Sequence, residues 1–77
     1  MTTNYYFNAN SKKIGEASWP GHKHFTWAIY PTQFMMDAFW MMYPEAIRDE
    51  YGKTMTIGEF VEFVNEREQE IDLRIAE

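Results

Sequence analysis

The sequence predicts a small α+β fold: a three-stranded antiparallel meander over residues 1–31, then two or three helices over residues 32–77. Three observations carry this expectation. Apolar and polar residues alternate in the first thirty positions, the period of half-buried strands. A capping box opens a helical stripe at Thr56. Between them lies the run Phe34-Met35-Met36-Asp37-Ala38-Phe39-Trp40-Met41-Met42-Tyr43, nine apolar or aromatic residues around one Asp.

Taking the elements in order, Tyr5, Phe7 and Ala9 alternate with Tyr6 and Asn8 as a first strand. Asn10-Ser11-Lys12-Lys13 is a polar turn. Ile14 to Trp19 is a weaker strand, because Gly15 and Ala17 lower its propensity. Trp19-Pro20-Gly21-His22 sets Pro and Gly where a type II turn needs them. His24 to Tyr30 then alternates, with Phe25, Trp27 and Ile29 on one face. Pro31-Thr32 ends the meander, and Thr32 is the expected N-cap of a helix from Gln33 to Met42. Pro44 lacks an N–H and its ring crowds the carbonyl of Trp40, so this helix is expected to kink or break there. Pro44 and Glu45 also suit the first turn of a second helical piece, stopped near Tyr51 by a left-handed Gly52. The last helix is expected from Ile57 to Ala76, along a stripe of Ile57, Phe60, Val61, Val64, Ile71 and Ile75. Asn65 to Glu70 interrupts that stripe with residues polar on every side.

Seventy-seven residues allow one domain with a marginal core. With no Cys, disulfides and thiolate metal sites are excluded. Aromatic side chains at 18%, or association with another chain, must supply what such staples would give. The net charge of -5 is uneven: residues 1–44 carry three lysines against Glu16 and Asp37, and the remainder carries ten carboxylates against four basic groups. The acidic half argues against direct nucleic-acid contact, which needs cations to displace counterions. The N-terminus lacks the basic and apolar regions of a signal peptide, and the Phe34–Tyr43 run is about half of what crosses a bilayer. A soluble, cytoplasmic protein is the expectation.

No nucleophile sits in a catalytic context. Ser11 and Ser18 lack a glycine elbow, and the C-terminal carboxylates fall at spacings of a solvated helix face. No enzymatic activity and no cofactor are expected. His22 and His24 form a His-x-His pair, but zinc needs further ligands that only Glu16 or Asp37 are placed to supply, so no metal is expected.

At 100° per residue the Phe34–Tyr43 side chains point nearly all round a helix, and such a helix must be covered on all sides. The rest of the chain already fills one sheet face and one stripe. A helix enclosed as the monomer's central core is one reading; the volume argument favours an exposed apolar patch that binds protein, through Met35, Met36, Phe39, Trp40, Met42 and Tyr43. Glu59, Glu62, Glu66 and Glu70 add an acidic face suited to a basic or nucleic-acid-binding protein. The expected function is a non-enzymatic interaction module, self-associating or acting as a regulator or inhibitor. The alternative is a small-ligand pocket built from Trp19, His24, Trp27 and Tyr30.

Overall fold

The structure, a computed structural model, describes residues 1–18 and 23–72. Strands β1 (Thr2–Phe7), β2 (Lys13–Ser18) and β3 (His24–Trp27) are followed by helix α1 (Pro31–Trp40), strands β4 (Ile47–Asp49) and β5 (Thr54–Met55), helix α2 (Ile57–Asn65) and strand β6 (Glu68–Ile71). The strands form one six-stranded sheet in the order β5-β4-β1-β2-β3-β6. All neighbours are antiparallel except β3 and β6, which run parallel.

The expected meander is therefore only the centre of a larger sheet, and among the described residues the expected two to three helices are two. The partition into a β part (1–31) and a helical part (32–77) fails with it, because β4, β5 and β6 all come from the second part. Each misread segment has a physical reason. The segment read as a helix from Pro44 to Tyr51 pairs instead as β4 against β1, Phe7 opposite Ile47 and Tyr5 opposite Asp49. Gly52 does take the left-handed conformation, φ +87°, but in the β4–β5 hairpin rather than behind a helix. Asp49 organises that hairpin: its Oδ1 accepts the backbone N–H of Tyr51 at 2.8 Å and of Lys53 at 2.9 Å. The helix expected to reach Ala76 stops at Asn65, and the polar stretch beyond it, which offers no apolar helical face, extends as β6. Residues 73–77, with Ile75, lie outside the described residues, as does the Trp19–His22 turn.

Helix α1 starts two residues earlier than expected, with Tyr30 as N-cap in place of Thr32 and Pro31 at its first position, where the missing N–H costs nothing. It ends at Trp40, so Pro44 breaks it rather than bending it. Stopping there keeps the proline ring clear of helical backbone.

Helix α2 opens with the predicted capping box. Thr56 Oγ1 accepts the Glu59 N–H at 3.1 Å, and Glu59 Oε1 accepts the Thr56 N–H at 3.0 Å. These bonds hold the Glu59 carboxylate below its ordinary pKa of 4.5. Thr56→Ala is expected to lower stability by about 1 kcal/mol, the usual worth of a cap. It also lets the Glu59 pKa rise; urea denaturation and an NMR carboxylate titration read the two effects. At its other end, Arg67 Nη1 donates to the Phe63 carbonyl at 2.8 Å while the guanidinium lies 3.7 Å from the centre of the Phe63 ring.

Both helices pack on one face of the sheet. That face presents Tyr5, Phe7, Ala17, Phe25, Trp27 and Ile47, and Phe34 of α1 and Phe60 of α2 fill the layer above. Phe34 stacks on Phe7 with centroids 5.5 Å apart and meets Phe60 at the same distance. Burial pushes the Tyr5 phenol above its ordinary pKa of 10.0, with the Asp49 carboxylate adding to the rise. Between β1 and β2 the register slips: Tyr5 faces Gly15, Tyr6 faces Lys13, and Ile14 is the extra, fully buried residue of a bulge. The other sheet face is polar and half-buried, carrying Asn4, Tyr6, Lys13, Glu16, His24, Thr26 and Arg48.

Candidate interaction surface

One fact about α1 dominates the surface. The helix buries Phe34 and Ala38 against the sheet, with Met41 half-buried beside them. One turn apart along the helix, these three share a face. The remainder of the apolar run faces outward. Met35, Met36, Phe39, Trp40 and Met42 are between 58% and 82% exposed, and Tyr43 is 39% exposed. Phe39 and Trp40 hold each other edge to face with centroids 5.1 Å apart, so the patch carries a pre-formed aromatic pair.

Large side chains present roughly 150–250 Å² each, so these five leave about 700 Å² of apolar surface on α1 and just past its C-terminal end, beyond the few hundred Å² usual for a monomer. The patch itself is uncharged. Its one acid, Asp37, lies on the flank, where Lys12 Nζ sits 3.2 Å from Oδ2 and Gln33 Nε2 donates to Oδ1 at 2.9 Å. Two shallow clefts adjoin it. One of about 170 Å³ opens between α1 and α2, floored by Trp27, Phe34 and Phe60 and rimmed by Met35 and Val61. The other, about 230 Å³, lies at the C-terminal end of α1 between Met42, Tyr43, Pro44 and Ile57.

The acidic residues do not form one track. Glu59, Glu62 and Glu66 share the outward face of α2 and its C-cap, all exposed. Glu70 stands on β6 opposite Thr26, and its Oε2 lies 3.1 Å from His24 Nε2 on the polar face of the sheet. The expected acidic helix is thus three carboxylates long, and the fourth belongs to another surface.

Of the pocket expected from Trp19, His24, Trp27 and Tyr30, the three described residues do not come together. His24 and Trp27 are an odd number of residues apart on one strand and point to opposite faces. Trp27 lies in the core, donating its indole N–H to Gln69 Oε1 at 3.0 Å, while His24 meets Glu70 on the other side. Tyr30 is exposed at the N-cap of α1, and Trp19 lies outside the described residues, as does His22. Among the described residues, no three His, Asp or Glu side chains are placed to hold a metal ion, and no helix is long and apolar enough to cross a membrane.

No protein-family model, curated protein or solved structure matches the chain.

Proposed function

We propose that this protein is a non-enzymatic interaction module that self-associates through the outward face of α1. The observation that supports it is the exposure of Met35, Met36, Phe39, Trp40 and Met42 on a single uncharged surface. A standard interface takes about 800 Å² from each partner, close to what this face offers. An uncharged, Met-rich and aromatic patch is complementary to a copy of itself, and nothing on it repels a second chain. The net charge of -5 lies elsewhere, with its acidic excess in residues 45–77. The three carboxylates of α2 remain free in such a dimer to meet a basic protein.

Sedimentation equilibrium across the micromolar range tests this reading. A concentration-dependent dimer is expected. Added salt tightens it, because screening relieves the repulsion between two acidic chains while the apolar contact persists. Trp40→Ser raises the dissociation constant at least about tenfold, since an aromatic anchor at the centre of an interface contributes 2 kcal/mol or more. The same substitution leaves monomer stability within about 0.5 kcal/mol, because the side chain is exposed. A clean monomer at high micromolar concentration overturns self-association. Binding to a basic protein that weakens with salt and survives Trp40→Ser moves the interaction to Glu59, Glu62 and Glu66.

A further inference from the structure

The outward face of α1 has an internal polarity. Met35 and Phe39 are four residues apart, and so are Met36 and Trp40. At that spacing each pair forms a row along the helix, the methionine about 6 Å nearer the N-terminus than its aromatic partner. The two rows run side by side on the face turned away from Phe34 and Ala38. Both rows read the same way, sulfur first and ring second.

Resting on the self-association proposed above, we infer that two copies join by laying α1 antiparallel on α1 about a two-fold axis level with Asp37 and Ala38, so that methionine meets aromatic in both rows. A two-fold axis perpendicular to paired antiparallel helices keeps each row on its own side and reverses its direction. Met35 then faces the partner's Phe39, and Met36 faces the partner's Trp40. Four favourable sulfur–ring contacts result. A parallel pairing gives none of them: it sets methionine on methionine and ring on ring, and it aligns two helix dipoles that the antiparallel pairing opposes.

The flanks agree with this arrangement. Asp37 lies about 60° round the helix from Trp40, towards its own sheet, so in both copies the carboxylates are turned away from the facing helix. Each is already engaged by Lys12 at 3.2 Å and by Gln33 at 2.9 Å within its own chain. The paired faces therefore carry no bare acid. On the other flank, the cleft between α1 and α2 opens beside Met35, where the partner's Phe39 arrives. Its apolar floor of Trp27, Phe34 and Phe60 gives that ring a place to settle.

Isotope-filtered NMR on the unmodified chain decides the point. Protein carrying ¹³C-methyl methionine is mixed with unlabelled protein, and only contacts between copies are recorded. Cross-peaks from the Met35 and Met36 methyls to Phe39 and Trp40 ring protons are expected. Sedimentation of the same sample reports the dimer separately. A dimer whose filtered contacts join Met35 and Met36 to methionine methyls overturns the antiparallel pairing while leaving self-association through α1 standing; a dimer whose contacts avoid α1 overturns both. A monomer at every concentration sinks both.

Discussion

Phe60→Ala is expected to remove about 3–5 kcal/mol of stability, the cost of deleting a fully enclosed aromatic. The Phe60 side chain has no solvent exposure. Its ring lies 5.5 Å from Tyr5, 5.7 Å from Phe25, 5.5 Å from Phe34 and 6.2 Å from Phe63, centroid to centroid. Those neighbours belong to β1, β3, α1 and α2, so this one side chain joins both helices to the sheet. Truncating it removes apolar burial and opens a cavity that four rigid rings cannot close by rotating. A chain of 77 residues has roughly 4–12 kcal/mol to lose at typical stability per residue. The variant is therefore expected to lose a large share of its stability, read as a strongly lowered urea midpoint. Phe60→Leu, which keeps most of the volume, retains the fold at a smaller cost. A loss below about 1.5 kcal/mol on truncation, at the low end of burying one large apolar side chain, would mean that α2 is not docked on the sheet as described.

The second large effect comes from the smallest residue. Gly15 faces Tyr5 on one side and Trp27 on the other. The space a side chain would occupy there is taken by Phe25, whose ring atoms lie 2.7 and 2.8 Å from an ideal Cβ, and by the Thr26 carbonyl. Phe25 is fully buried and cannot swing aside, and the carbonyl belongs to the backbone of the neighbouring strand. Gly15→Ala therefore forces β2 and β3 apart, and a loss of 3 kcal/mol or more is expected, at the upper end of overpacking costs. Gly58→Ala is the internal control. Only the Thr56 hydroxyl, at 3.9 Å, is near its Cβ, and alanine is the better helix former by about 0.8–1.0 kcal/mol. Opposite signs for the two substitutions, measured in one urea series, are the expected result. Equal effects would sink the close approach at Gly15.

The same residues show what was legible in the sequence. Strands β1 and β3 were readable because Tyr5, Phe7, Phe25 and Trp27 alternate with polar neighbours, a signal carried within each strand. The start of α2 was readable because a capping box is a local device. Strand β4 was not: Ile47-Arg48-Asp49 is too short to show a period, and Pro44-Glu45 ahead of it fits a helix start equally well. Strand β6 has a more basic reason to be hidden. Glu68-Gln69-Glu70 has low strand propensity, and what makes it a strand is pairing with β3, forty-four residues away from His24 to Glu68. Nothing local encodes a parallel partner. For the surface, volume alone sufficed: a ten-residue run apolar on all sides was too much for a chain this short to enclose. What volume could not give was that β6 would carry Glu70 away from the α2 carboxylates, since that depended on the unreadable strand.

The parallel placement of β6 also has a consequence in time. During translation β3 is complete long before its outer neighbour exists. At roughly 5–20 residues per second, the codons from 24 to 68 take a few seconds to read. Any part-folded chain whose meander forms before β6 docks holds an open strand edge at β3, with amides that have nothing to bind but water, another polypeptide or a chaperone. The delay before β6 docks, rather than the stability of the finished sheet, sets how long that edge stays available to strangers.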